Sequence, residues 1–336
     1  MWNVAAATVR GHHAEFLTNA PVSEAMVDRH RRLVDSLVAG RVAPLRVLDV
    51  GAGSGALSAS FAAASHEVTA IEPSSALDDA TGARFGFRVL RGSWPDPRLR
   101  SEHFDLVVCV QVLEHTSDPV AVIESILAAL APGGTAYVEV PSGDWVQRHA
   151  SPIDVHVPHV HYFASRSFAR VVQRAGGSVV ASRDVIAGRD VGYEICAGDG
   201  QSSWSAGIVP DAGEFARSVE RLRDRVAALP RGRTAIYGAN AGTQALLGWV
   251  PQGPWGTVLD DTPAYWGHRV YSSAGEWPIS DPDTCDLANY ECIVIAAYVH
   301  DTAIAARLRA RGFRGTVWSL RPATAVTDGP PSLFAD

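Results

Sequence analysis

Residues 46–64, RVLDVGAGSGALSASFAAA, constrain the fold of this chain more than any other stretch. An apolar run of strand type ends at Val50, and Gly51, Gly53 and Gly55 follow within five positions, ahead of a run of helical character. Glycines so placed let the chain turn sharply and bring backbone amides against a ligand with no Cβ in the way. A second strand pattern, EVTAIE, occupies residues 67–72, so the stretch predicts a βαβ unit and with it a parallel sheet.

The alternation continues through FGFRVL, the apolar run FDLVVCVQVL, a helix from about Pro119 to Leu130, the turn APGG and the strand TAYVEV. Continuous apolar strands separated by helices are strands buried on both faces, which predicts an α/β fold with a doubly wound, Rossmann-like sheet. A helix over 165–175 and two strands, GSVVASRDVI and DVGYEICAG, close the sheet with an antiparallel edge. Val22, Met26, Leu33 and Leu37 recur at helical spacing, so residues 1–42 form a helical flank or lid and 43–198 the first α/β domain. His12 and His13 lie on that flank, facing solvent or covering a pocket. Residues 199–213, rich in Gly, Ser and Pro, read as a linker. Beyond them a charged helix, TAIYG, the turn ANAGT, TVLDD, ECIVIAAYV, a further helix and TVWSL predict a second, smaller Rossmann-like domain over 214–325.

The bulk numbers agree with two packed domains: 336 residues, of which 47% are hydrophobic and 19% charged. A formal charge of -7 with no basic or acidic run argues against a nucleic-acid partner. No run reaches the roughly 18 apolar residues a bilayer span needs, and the first residues lack a signal-peptide pattern, so no membrane partner and a cytoplasmic location are expected. Cys109, Cys196, Cys285 and Cys292 form no C-x-x-C pair and read as small thiols in a reducing compartment.

Three features narrow what the glycine loop selects. Asp49 precedes it, where a carboxylate can hold the ammonium of an amino-acid ligand. Glu72 ends the next strand, where an acid takes ribose hydroxyls. Ser93 and Trp94 follow the third strand, where a polar group and an aromatic bracket adenine. A dinucleotide domain shares the acid of Glu72 but has no need of Asp49.

With DVGAGSG, Glu72, VLEH followed by SDP, and LAPGGTAYVEVPS, the chain resembles class I methyltransferases that use S-adenosylmethionine, over roughly residues 45–180. The resemblance implies cofactor contacts at Asp49, Gly51, Ala52, Gly53, Gly55, Glu72, Pro73, Ser93, Trp94 and Gln111. In the second half, YGANAGTQALL and LDDTPAYWGHRV resemble the C-terminal domain of deoxysugar C-methyltransferases from antibiotic pathways. Those enzymes methylate a nucleotide-linked keto sugar between two Rossmann-like domains. Their N-terminal zinc-binding cysteine domain has no counterpart here, and Gly242 stands where a Lys is usual. A small natural-product acceptor is implied. Tyr193 and Glu194 on a late strand and Asn240 in the second domain's turn are candidate substrate contacts, against a packing or turn role.

The segment DVHVPHVHYF, residues 154–163, follows the strand TAYVEV, at the end where open α/β sheets bind ligands. HVHYFASRSF resembles the part of the sugar enzymes where an acid–histidine pair precedes Tyr-Phe. His159 then matches the histidine, Pro158 replaces the acid, and His156 takes the place of a tyrosine. An imidazole of pKa near 6.5 suits removal of a proton from a hydroxyl or from carbon beside a ketone, worth about 10²–10⁴ in rate. His159 is therefore the expected general base, with His156, His161 and His115 as further candidates. Alternatively Asp154, His156, His159 and His161 bind a divalent metal, a less favoured reading because their spacing converges only in a curled loop. A third reading makes them polar loop residues. Glu114 and His115 end strand four, where capping and loop anchoring compete with a substrate contact. The rival functions are O- or N-methylation of a non-sugar metabolite, possibly metal-assisted in chemistry, and a non-catalytic module that binds S-adenosylmethionine.

Overall fold

The computed structural model describes residues 24–42, 44–156, 158–198, 212–322 and 328–335. The chain divides into two compact units, Met1–Asp144 with Pro158–Gly207, and Trp145–Val157 with Ile208–Asp336.

The first unit is built on a seven-stranded sheet of β1 (Arg46–Val50), β2 (Glu67–Glu72), β3 (Arg88–Arg91), β4 (Phe104–Val110), β5 (Leu130–Pro141), β6 (Gly177–Val185) and β7 (Asp190–Ala197). Their order is β3-β2-β1-β4-β5-β7-β6, parallel from β1 to β5, with β7 antiparallel to both neighbours. The expected APGG turn lies inside β5, whose pairing with β4 is irregular between Phe104 and Leu106.

Around the sheet lie α1 (Glu24–Val38), α2 (Ala56–Ala63), α3 (Asp79–Phe85), α4 (Pro119–Ala128) and α6 (Ser165–Arg174), while α5 (Gly143–His149) begins at the end of the first segment of this unit and passes into the second unit. Successive residues of β4 serve opposite faces. Val107 and Cys109 pack in the cluster that holds Ile123 and Ile126 of α4 and Phe168 and Val172 of α6. Leu106 and Val108 pack in the other, with Leu33, Val34 and Leu37 of α1 and Phe61 of α2. The apolar stripe read at residues 33 and 37 is thus core, and α1 is a packed flank; His12 and His13 lie outside the described residues. Because β1 leads to β2 on one side and β4 to β5 on the other, the strand order reverses between β1 and β4, and their carboxyl ends open a crevice.

In the second unit β8 (Thr234–Tyr237), β9 (Trp255–Leu259), β10 (Arg269–Ser272), β11 (Gly275–Ser280), β12 (Cys292–Ile295) and β13 (Thr316–Ser319) form a sheet in the order β10-β11-β9-β8-β12-β13. It is parallel except for the β10–β11 hairpin, and it is accompanied by α7 (Ala212–Ala227), α8 (Ala241–Trp249) and α9 (Asp301–Ala310). Two segments join this unit from outside the expected 214–325. Ile153 is fully buried in its core with Leu246 and Val294, and Trp249 Nε1 donates to the Pro152 carbonyl at 2.7 Å. Leu333 and Phe334 also pack into that core, and Leu333 N donates to Ser319 O at 2.9 Å. Of the expected linker, residues 199–211 lie outside the described residues, and α7 begins at Ala212.

Candidate active site

The glycine loop opens directly from the end of β1. Gly51, Gly53 and Gly55 have φ of 70°, 55° and 76°, in the left-handed region that side chains disfavour. At Gly51 packing adds a second demand, because a Cβ there would lie 2.5 Å from Val112 Cγ2. That close approach sets the loop against the segment following β4. A Cβ at Gly53 would meet nothing within 4 Å, so Gly53 faces the open side of the loop. Gly51 N and Ala52 N donate to Ile71 O at 2.9 and 3.2 Å, tying the loop to β2.

The carboxylates expected around this loop are held in place. Glu72, at the end of β2, accepts Gly53 N at Oε2 and Ser74 N at Oε1, both at 2.8 Å. Each oxygen keeps a lone pair for a ribose hydroxyl. Asp49 is 2% exposed and accepts the Ser58 hydroxyl at 2.6 Å. Burial pushes its carboxyl up to about 6, against the hydrogen bond from Ser58. Trp94 packs against the core, and its Nε1 is a buried donor with no partner among the described residues; Pro73 and Ser93 are exposed. A left-handed glycine turn, a ribose-facing acid, a buried carboxylate for an ammonium and an unused indole donor fit S-adenosylmethionine.

Past β4 the polar groups concentrate. Gln111 has φ 56°, a conformation rare for a side-chain-bearing residue and frequent at functional sites. Its amide N donates to Glu139 O at 2.9 Å, its side chain reaches Glu139 Oε1 at 3.4 Å, and it also bonds Asp190. Glu139, 1% exposed on β5, further accepts the Tyr137 hydroxyl at 2.8 Å and the guanidinium of Arg29 from α1. Burial raises the Asp190 carboxyl to about 6, and the charge of Glu139 adds to the rise. Arg29, Glu139 and Asp190 were not singled out by sequence; an acid within a strand pattern and an arginine on an amphipathic helix read as ordinary surface residues.

Glu114 and His115 follow in a turn of 3₁₀ helix, Leu113–His115. The carbonyl of Glu114 accepts the amides of Val160 and His161 at 2.8 and 3.1 Å, which pins the histidine loop to the end of β4. Its far end is anchored by Gly143 N donating to Phe163 O at 2.8 Å. The His159 ring consequently stands edge-on to His115, with centroids 4.8 Å apart. His115 Nδ1 lies 3.1 Å from Pro158 O, and its Nε2 lies 3.9 Å from Glu114 Oε1. Glu114 is fully buried, and neither of its oxygens has a hydrogen-bond partner among the described residues. Burial pushes this carboxyl up to about 8, and nearby Asp190 and Glu139 add to the rise.

The four residues of the expected metal set are differently placed. Asp154 and His156 belong to the second unit, His159 and His161 to the first. Asp154 is 4% exposed and accepts Ser151 Oγ at 2.7 Å, Trp145 Nε1 at 3.1 Å and Tyr298 Oη at 3.1 Å. It is a structural acceptor that holds residues 145–157 to their unit. Among the described residues the grouping compatible with a metal is instead Glu114, His115 and His159. His161 lines a separate cavity of about 510 Å³ with Asp118, Glu124 and Arg174.

The three expected substrate contacts have other occupations. Tyr193 is fully buried, stacks on Phe168 with ring centroids 3.9 Å apart, and donates to Ser165 Oγ at 3.2 Å, so it is a core residue. Glu194 pairs with Arg183 on the neighbouring strand β6. Asn240 caps α8, its Oδ1 accepting Thr243 N at 3.1 Å.

Residues 21–182 match a family described as a methyltransferase domain. The ubiquinone biosynthesis O-methyltransferase of Bordetella bronchiseptica is 37% identical over 105 residues, 30% of this chain and 44% of that protein. Its counterpart from Xanthomonas campestris pv. campestris is 36% identical over 115 residues, 30% of this chain and 46% of that protein. The chain thus spans less than half the length of these curated relatives. Among solved structures, the 1,6-didemethyltoxoflavin-N1-methyltransferase of Burkholderia thailandensis, with its substrate and S-adenosylhomocysteine bound, is 20% identical with a TM-score of 0.41, covering 53% of this chain and 80% of that one. No helix among the described residues is long and apolar enough to cross a membrane.

Proposed function

We propose that the protein transfers the methyl group of S-adenosylmethionine to a hydroxyl of a small-molecule acceptor placed at Glu114, His115 and His159. The observation that carries this reading is the contact of Gly51 with Val112, which sets the donor loop beside the segment bearing Glu114 and His115 within one unit. The sulfonium methyl is already electrophilic, so the protein's tasks are to align the nucleophile and to draw off its proton. A buried carboxyl with a raised pKa and two imidazoles are suited to the second task. The O-methyltransferases among the relatives support oxygen as the attacking atom.

A second reading, carbon methylation of a nucleotide-linked deoxysugar, is supported by YGANAGTQALL, which runs from the end of β8 through the turn into α8 in the Rossmann-like second unit. Isotope-labelled S-adenosylmethionine, offered with catechols, hydroxyketones and nucleotide-linked keto sugars, separates the two by NMR of the product. An O-methyl signal is expected. A C-methyl signal on a sugar nucleotide would instead support the second reading, and tight cofactor binding without transfer to any acceptor would sink both.

A further inference from the structure

We propose that Glu114, His115 and His159 bind a divalent first-row transition-metal ion, an inference that rests on the methyl-transfer reading and specifies how its acceptor is gripped. Each residue offers one ligand atom, and these atoms lie within 4.8 Å of one another. They come from two segments, the turn after β4 and the loop that the Glu114 carbonyl ties to it through Val160 and His161. The fold itself therefore assembles the set.

Two further observations point to a cation among these atoms. Glu114 is fully buried, yet both of its oxygens lack a hydrogen-bond partner among the described residues. A fully buried carboxyl whose two oxygens lack a hydrogen-bond partner calls for a partner, and coordination of a metal ion supplies one. The second observation concerns His115. The Pro158 carbonyl, 3.1 Å from Nδ1, can only accept, so Nδ1 carries the proton of the neutral ring and Nε2 presents its lone pair. That lone pair faces Glu114 Oε1 across 3.9 Å. An imidazole that ligates a metal through one nitrogen commonly donates the other N–H to a carbonyl, as His115 does to Pro158. The carboxylates of Glu139 and Asp190 add negative potential at Glu114.

Two imidazoles and a carboxylate suit iron, cobalt, nickel or zinc better than calcium or magnesium. Metal–nitrogen distances of about 2.0–2.1 Å require the three ligand atoms to draw together, a movement within reach of side-chain rotation. Three protein ligands leave coordination positions open, and these select an acceptor that offers two adjacent oxygens, a vicinal diol or a hydroxyketone. On binding, the acceptor hydroxyl loses its proton to solvent. Its oxygen lone pair then forms the bond to the methyl carbon as the carbon–sulfur bond breaks, the electrons passing to sulfur, to give the methyl ether and S-adenosylhomocysteine. His159 acts here as a ligand and not as a free base.

The test uses the full chain, stripped with chelator and titrated with Co²⁺, whose visible d–d bands report nitrogen and oxygen ligation. One Co²⁺ per chain is expected, displaced by Zn²⁺ and not by Mg²⁺. Glu114→Gln and His159→Ala should each weaken Co²⁺ binding by about tenfold or more while keeping S-adenosylhomocysteine affinity within about twofold, the control that both variants are folded. Absence of ligated Co²⁺ in the wild type, as a proton shared between Glu114 and His115 would give, overturns the site; so does unchanged Co²⁺ affinity in both folded variants. Full methyl transfer by the chelated protein defeats the metal and leaves the methyl-transfer reading standing. Co²⁺ bound as described with no acceptor methylated has the converse meaning.

Discussion

Asp49 is a single buried carboxyl whose burial makes folded stability depend on pH. Its carboxyl, about 6 in the folded chain against an ordinary 3.8, is protonated in both states at low pH. As pH rises from about 4 through about 6 the unfolded chain ionises first, so folded stability falls by about 3 kcal/mol across that window. Asp49→Asn removes the penalty. Thermal melts without ligand should therefore show the variant gaining on the wild type between pH 4.5 and 7.5, by about that amount. S-adenosylhomocysteine should behave in the opposite sense, because its ammonium favours the ionised carboxylate: affinity weakens as pH falls through about 6 in the wild type and is flat in the variant. A pH-independent difference in melting between the two proteins would remove Asp49 from this role. The place of Asp49 before the glycine loop was legible in the sequence; its burial and its bond to Ser58 were not. Glu114 was not, since VLEH reads equally as the polar end of a strand, and only the burial of both oxygens without a partner distinguishes it.

Whole elements were the most legible level. Strand β2 and the end of β1 follow their apolar patterns, because strands buried on both faces leave uninterrupted runs. The hairpin β10–β11 was missed; RVYS and GEWPIS alternate weakly and carry a proline. Asn240 illustrates a polar residue whose element explains it. As the N-cap of α8 it satisfies the Thr243 amide, so Asn240→Ala should cost about 1 kcal/mol in denaturant unfolding and leave the acceptor KM unaltered. A raised KM at unchanged stability would instead restore Asn240 as a substrate contact.

At the scale of the whole molecule, the sequence pattern placed two α/β units, and the structure has two sheets of the expected kind. Their extents were less legible. Residues 145–157 lie in sequence between β5 and α6 of the first unit, yet Ile153 and Asp154 are bound into the second by burial and by Tyr298, a long-range partnership without local periodicity. The same segment boundary divides DVHVPHVHYF, and Asp154 within it is occupied by Ser151, Trp145 and Tyr298. The first unit holds a left-handed glycine loop at the end of β1 and a carboxyl–imidazole group after β4. Calorimetric titration of the full chain with S-adenosylhomocysteine, on the wild type, Asp49→Asn and Glu114→Gln, tests that division of labour most directly. One ligand per chain is expected, with Glu114→Gln within about twofold of the wild type and Asp49→Asn about tenfold or more weaker. No binding by the wild type, or equal affinity in all three proteins, would contradict the account.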